Sequence, residues 1–325
     1  MRALLRLGAA ACFSLLLAGV GYAAESYPQK PIQLIIPVPP GGAADFIGRI
    51  VAQKLTDALE QKVLADNRPG AAGTIASTIV MNAKPDGYTL LLSSSTTHGT
   101  APVVYKSVPF DSIKSFSHIG LVATVPAVLS VNASLPVKSV QEFVSYAKAN
   151  PGKLNFGSSG AGSPLHLWGE LFNSVAQVSL IHVPYKGAGP AQLDLIAGRI
   201  HAVFDALPSQ IGNIQAGKTR PLAAMHSSRL SILPDVPTMA EAGYSGVEGG
   251  LWFGLSGPAG MPKEIVEKIS HELSKIAAMP DVKDAFSERG IITTPMGPAD
   301  YAGFIRSENV KYGTIAQRLG ISLEF

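Results

Sequence analysis

Apolar residues in this chain fall into short runs that alternate with amphipathic stretches, and a glycine-rich break often separates the two. "IQLIIPV" reads as a buried strand. After the turn "PPGG", Phe46, Ile47, Ile50, Val51, Leu55 and Leu59 recur at helical spacing. The unit repeats through "YTLLLSSS", through "AVLSVN" before "SVQEFVSYAKAN", and through "KLNFGSSGAG" before "LHLWGELFNSV". "SLIHVPYKGAG" leads into "PAQLDLIAG", "RIHAVFDAL" follows, and beyond "LWFGLSGPAG" come two helical segments, "PKEIVEKISHELSKIAAM" and "PADYAGFIRSENVKYGTIAQRLG". This order predicts parallel strands covered by helices on both faces. In such a sheet the strand-to-helix turns gather at the strands' carboxyl ends, where ligands bind.

Three of these turns carry candidate chemistry. In the first, Gly41 and Gly42 allow a ligand to approach without a Cβ in the way, and the helix behind them presents unpaired N–H groups and a positive dipole end. Asp45 sits in that first helical turn, where local N–H groups compete for its carboxylate. The second turn, "GSSGAGSPLHL", repeats the device with Gly157, Gly160 and Gly162, the hydroxyls of Ser158 and Ser159, Ser163 as N-cap and Pro164 as first helical residue. His166 then falls in the first turn of that helix, with a packing role and a pocket role both open. In the third, "PYKGAGPAQ", Lys186 offers a charge that a solvated loop lysine would equally carry. Asp205 closes an apolar strand at the ligand-binding edge and fits either a ligand contact or a cap. The hydroxyls of "SSSTTHG" share that ambiguity.

Other site chemistries fit poorly. The glycine-rich turns do not contain the G-x-x-x-x-G-K-[ST] phosphate loop, and the G-x-G-x-x-G dinucleotide fingerprint is absent as well. "GSSGA" misses G-x-S-x-G at Ala161, and "SYAK" lies in a helical stretch. The seven histidines show no metal-binding spacing. What remains is a carboxylate that is held and released unchanged, with no catalytic residue, metal or cofactor. A serine hydrolase and a ligand-sensing subunit for a membrane signalling protein stay open as rivals.

Composition changes the picture in two ways. The formal charge of +3 comes without like-charge runs or basic-aromatic interleaving, which argues against nucleic acid. Arg2 and Arg6 precede the uncharged stretch 7–24, with small residues Gly21 and Ala23 where cleavage would fall, so residues 1–23 read as a secretory signal peptide. A membrane anchor fits less well, because a spanning helix wants about 20 apolar residues. A lipid anchor at Cys12 also fits less well. Cleavage near Ala23 removes the single cysteine, leaving stability to core packing in an oxidising compartment.

Taken in order, "PVPPGGAADF", "DNRPGAAG", "KPDGYTLLLSSSTTH", "VPFD", "NPGKLNFGSSGAGSPLHLWGELF", "HVPYKGAGPAQLDLIAGRI", "FDALPSQIGNIQAGKTRPLA", "LPDVPTMAEAGY" and "LWFGLSGPAGMP" closely resemble the substrate-binding proteins of tripartite tricarboxylate transporters, the Bug-type extracytoplasmic solute receptors. The similarity spans essentially the whole mature chain. It implies a type II periplasmic-binding-protein fold: two α/β lobes with a ligand cleft between them. With crossings expected at 120–131 and 219–227, lobe 1 comprises residues 24–124 plus 227–325 and lobe 2 residues 125–226.

The resemblance further implies a periplasmic receptor, monomeric, that passes a small carboxylate (a dicarboxylate, an aromatic acid or an amino acid) to integral-membrane permease subunits. It places one ligand carboxylate between the turn Pro40, Gly41, Gly42, Ala43, Ala44, Asp45 and the turn Ser158, Ser159, Gly160, Ala161, Gly162, Ser163. By position it adds Ser94, Ser95, Thr96, His98, Tyr185, Lys186, Gly187 and Asp205 to the cleft, while His166 is a candidate from its place at the start of the helix after the second turn. Val38 stands where the family commonly has an aromatic residue, so the pocket wall here is expected to differ.

Overall fold

The computed structural model describes residues 27–324. The signal-peptide expectation and Cys12 lie outside them. Strand β1 (Ile32–Ile36) pairs in parallel with β2 (Val63–Asn67) and with β3 (Thr89–Ser94). Helix α1 (Ala43–Leu59) follows β1 and buries Ile47, Val51 and Leu55 against it, the stripe expected from the sequence. Helix α2 (Thr74–Met81) precedes β3, a π-helical turn (Ser95–Thr100) leaves it, and the short α3 (Ala101–Val104) completes the excursion.

Strand β4 (Phe116–Asn132) is 17 residues long and joins two sets of strands. Its first part, through Pro126, pairs antiparallel with β9 (Gly250–Pro258), and Leu121 to Thr124 also pair with β10 (Ile292–Met296). From Ala127 onward its partners are β7 (Ala202–Ala206) and β8 (Thr219–Ala224). The exchange falls at Pro126, which has no N–H to give to a ladder. Beyond β7 come β5 (Asn155–Ser158) and β6 (Ile181–Pro184), both parallel to it in sense. The order is therefore β2-β1-β3-β9-β4-β7-β5-β6. Parallel strands do carry the three turns, but β4 pairs antiparallel with β7, β8, β9 and β10, and β3 with β9, so the sheet is mixed rather than wholly parallel.

Helix α4 (Val140–Ala149) starts at Ser139, whose hydroxyl accepts the Glu142 N–H, and α5 (Pro164–Ala176) starts at Ser163 in the same manner. Helices α6 (Ala188–Ile196) and α7 (Leu207–Gln215) flank β7. The remaining helices are α8 (Lys263–Ala278), α9 (Pro280–Ser287) and α10 (Pro298–Arg318). Each half of the sheet has its own apolar core. One draws on β1, α1 and β9, with Leu34, Ile36, Leu55 and Phe253 among its members; the other gathers Phe143, Phe156, Trp168, Phe172 and Phe204. The second core also receives Val104 from α3 and Tyr312, Ile315 and Ala316 from α10, so those elements span both halves.

A buried polar cluster fastens α10 to the sheet. Ser93 Oγ lies 2.8 Å from Tyr301 Oη and 2.9 Å from Ser256 Oγ, which in turn meets His118 Nδ1 at 3.2 Å. Gly254 makes room for this. A methyl there would stand 2.5 Å from Tyr301 Oη and 2.6 Å from the Gly120 carbonyl oxygen. Gly254→Ala is accordingly expected to cost about 1–3 kcal/mol by overpacking, read as a lower urea midpoint with an unchanged m-value.

Candidate functional site

The first turn is braced by Asp45. Its Oδ2 accepts the Gly41 N–H and the Arg49 Nε–H, each at 3.0 Å, while Oδ1 accepts Asn67 Nδ2 at 2.9 Å and pairs with Arg49 Nη2 at 3.0 Å. Burial alone would raise this carboxyl; the hydrogen bonds from Arg49, Asn67 and Gly41 outweigh it and hold the pKa below its ordinary value. Asn67 also donates to the Val38 carbonyl at 3.0 Å, tying β2 to the turn. Asp45 thus spends both oxygens inside the protein. Val38 is half-buried against the first core, and Pro40, Gly41 and Gly42 are exposed.

Gly41 has φ +102°, a conformation that needs glycine. Gly42, the N-cap of α1, is extended (φ −91°, ψ 178°) and caps with no side chain. Its carbonyl accepts the Phe46 N–H, which directs the Ala43 N–H of the same trans peptide the opposite way. Among the described residues the N–H groups of Gly42, Ala43 and Ala44 have no acceptor.

The second turn reaches the same result by a different route. Ser158 O accepts the Tyr185 N–H at 3.1 Å, so the Ser159 N–H points away from it. Gly160 O accepts Ser163 Oγ at 2.7 Å, Ser158 Oγ at 3.0 Å and the Ser163 N–H at 3.2 Å, so the Ala161 N–H also points outward. The Gly160 N–H turns inward onto Ser158 Oγ at 3.1 Å, and the Gly162 N–H turns inward onto His166 Nδ1 at 3.1 Å. Gly160 (φ +133°) and Gly162 (φ +73°) permit this alternation. Ser159 and Ala161 keep unaccepted N–H groups among the described residues.

His166 therefore supports the turn from behind. Its ring stacks on His182 with centroids 3.8 Å apart and planes at 19°, and Glu170 Oε1 lies 3.9 Å from Nε2. Burial lowers His166 to about 4; burial, and then the neighbouring His166, lower His182 to about 4. Both rings are neutral at pH 7. His182 falls within the "HVPYKG" segment, yet no sequence signal marks it as a partner of the turn; only the parallel pairing of Ser158 with Pro184 brings it there. Its Nε2 lies 2.6 Å from Ser158 Oγ, a nucleophile-to-base distance. That hydroxyl is buried, however, and is shared with Gly160 on both its N–H and C=O, and no carboxylate orients His182 among the described residues.

The other expected residues are mostly engaged within the protein. Tyr185 donates its hydroxyl to Asp194 at 2.8 Å, Lys186 is exposed, and Gly187 (φ +111°) is the N-cap of α6. Ser94 and Thr97 form a reciprocal cap at the π-helical turn, Thr96 is half-buried, and Ser95 Oγ is buried without a partner among the described residues. His98 is fully buried, 4.6 Å from the Phe116 ring and 5.9 Å from His118, and burial pushes its pKa well down. Asp205 is buried at the end of β7. Its Oδ2 accepts Ser209 Oγ at 2.6 Å and Gln192 Nε2 at 2.9 Å, and its Oδ1 accepts the Ala206 N–H at 2.7 Å. Burial raises its pKa, against those three hydrogen bonds.

No group of His, Cys, Asp and Glu suited to a metal occurs among the described residues. An open depression of about 510 Å³, lined by Glu170, Asn173, Leu180 and Leu319 among others, lies towards the far end of α5 from the turn. Its lining contains none of the unaccepted N–H groups, so volume and hydrogen-bonding capacity point to different places. The N–H geometry is the better guide to an anion, because the depression presents the Glu170 carboxyl beside its few polar groups.

Two α/β strand sets joined by the long strand β4, with N–H-lined turns at their carboxyl ends, define a two-lobed solute-binding protein of the periplasmic type. The profile of the tripartite tricarboxylate transporter family receptors matches residues 47–321, and the chain belongs to that family. It is 34% identical over 306 residues to Protein BugT of Bordetella pertussis, covering 93% of each chain. The solved structure of the Rhodopseudomonas palustris protein Rpa4515 with adipate superposes with a TM-score of 0.85 at 34% identity, covering 91% of this chain and 99% of that one. MatC of the same organism with bound malate gives 0.81 at 29% identity, covering 89% and 99%. The family and fold are those of solute-binding receptors.

Two outcomes follow from the braces. Asp45→Asn should lose about 1–3 kcal/mol at neutral pH, the scale of breaking charged hydrogen bonds. Because the folded carboxyl titrates below its ordinary 3.8, that difference is present above this value and closes as pH falls below it, which paired denaturation curves would show. The neutral histidines act in the same direction over a higher pH range. The unfolded chain takes up protons near 6.5 that the folded chain refuses until about 4, so stability falls as pH drops through that window. A His182→Gln variant should show a shallower fall in melting temperature between those limits, and parallel curves would refute the assignment.

Proposed function

We propose that this chain is a periplasmic receptor that captures a small carboxylate, of the dicarboxylate class, and hands it unaltered to the integral-membrane permease subunits of a tripartite tricarboxylate transporter. Secretion through residues 1–23, a monomeric state, and lobes formed by 24–124 plus 227–325 and by 125–226 belong to the same reading. The observation that carries it is the set of N–H groups on Gly42, Ala43, Ala44, Ser159 and Ala161, which lack acceptors among the described residues and stand at the ends of parallel strands. The adipate and malate held by the two R. palustris relatives support the ligand class.

The energetics are consistent with a reversible receptor. One exposed helix terminus contributes only about 0.3–1 kcal/mol to anion binding. Micromolar affinity requires about 8 kcal/mol, which helix termini alone do not supply, so direct N–H hydrogen bonds to the carboxylate oxygens carry the larger share. Neutral His166 and His182 behind the second turn fit an easily released ligand better than a buried cation would.

Gly42 offers the sharpest test. Its extended backbone suits any residue, and a methyl there meets nothing within 4 Å, so the fold itself makes no demand for glycine. Gly42→Ala is expected to melt within a degree or two of wild type yet to bind adipate or malate at least about ten-fold more weakly by calorimetry, as expected when close backbone approach is lost. Equal affinity would remove the ligand from this turn. A thermal-shift screen of carboxylates on the unmodified protein names the cargo, and failure of every carboxylate to shift the melt would reject the reading.

A further inference from the structure

The second turn does not stand on its own strands alone. Tyr105, which directly follows α3 on the β3 side of the molecule, donates its hydroxyl to the Ala161 carbonyl at 2.8 Å. The same peptide's N–H, that of Gly162, donates to His166 Nδ1 at 3.1 Å. Peptide 161–162 is therefore gripped at both ends, by a side chain from outside the β5–β6 unit and by a side chain of α5. With that plane fixed and the Gly160 carbonyl held by Ser158 and Ser163, the intervening Ala161 N–H has one direction left to it.

Tyr105 is itself fixed by the end of the chain. It forms a parallel bridge with Leu323, whose N–H donates to Val104 O at 2.9 Å and whose carbonyl accepts the Lys106 N–H at 3.0 Å. Glu324 adds an ion pair to Lys106 at 3.1 Å. These residues form a floor under Gly162. A methyl on that glycine would lie 2.9 Å from Leu323 Cδ1, 2.9 Å from Val104 Cγ1 and 3.1 Å from Tyr105 Cζ. Glycine at 162 is thus required by its φ of +73° and by the closeness of a surface drawn from α3 and the C-terminal segment.

We propose that Tyr105 is a positioning residue for ligand binding: its hydroxyl, seated on the C-terminal segment, orients peptide 161–162 so that the Ala161 N–H faces the ligand. The role rests on the carboxylate reading of the two turns. It also means that the last residues of the chain influence affinity from outside the pocket, since they hold the phenol in place without touching the turn's free donors.

The test is Tyr105→Phe in the full mature chain, which deletes the hydroxyl and keeps the ring against Gly162. Calorimetry with adipate and with malate should show affinity reduced about five-fold, the scale of one net hydrogen bond, with the ligand-free melting temperature nearly unchanged. Residue-resolved amide exchange without ligand should show the Gly162 N–H exchanging about five-fold faster while the α4 amides keep their rates. Unchanged affinity together with unchanged Gly162 exchange would overturn the proposal. If the wild-type protein binds no carboxylate, the carboxylate reading fails on that result, and the exchange of Gly162 still decides whether Tyr105 orients the turn.

Discussion

A trans peptide unit sends its carbonyl and its N–H in opposite directions, and the candidate site depends on that constraint. An N–H that faces a cleft keeps one direction when something holds the carbonyl of the same peptide. Tyr185 does so for peptide 158–159, while Ser158 and Ser163 do so for peptide 160–161. In the first turn the opening helical bond from Phe46 to Gly42 has the same effect, and Asp45 secures the inward Gly41 N–H. The donors are thus preorganised by neighbours that never need to touch a ligand.

This division of labour explains why the charged and titratable residues near the turns are occupied elsewhere. Asp45 is engaged with Arg49 and Asn67, Asp205 with Gln192 and Ser209, and the His166–His182 stack is kept neutral by burial. A charged side chain facing an anion would bind more tightly and release more slowly. Backbone dipoles carry no proton to gain or lose, so donors of this kind change little with pH near neutrality. The long strand β4 serves the same end mechanically. It changes partners from β9 and β10 to β7 and β8 at Pro126, placing the two turns on separate strand sets that share one continuous backbone.

Much of the local structure was legible from residue pattern. The α1 stripe, the Ser163–Pro164 helix start and the strand before each glycine-rich turn all follow from periodicity and capping chemistry. Other elements left weaker traces. β2 is a short edge strand whose sequence "VLADN" is half polar, and α7 runs straight on from β7 with a proline in its first turn, so neither shows a clean period. The antiparallel return of β9 was hidden because a strand's own sequence does not state its direction. Residues expected in a pocket role, such as His98 and Asp205, prove to be deeply buried, since strand-end position says nothing about which side a side chain takes.

The chain by itself determined where backbone could bend and where N–H groups would be left over: glycines at 41, 160 and 162, the serine caps, and the apolar runs between them. Those are local properties, set by steric freedom and by hydrogen bonds reaching a few residues. The tertiary structure completed the choice of which leftover donors face outward, because local partners such as Phe46, Ser158 and Ser163 are joined by groups from far along the chain. Asn67 reaches the first turn from β2, His182 and Tyr185 reach the second from β6 and the residue just beyond it, and Tyr105 reaches it from beyond α3. Such contacts exist only once the sheet order has brought separate strand ends together, and no spacing in the sequence encodes them.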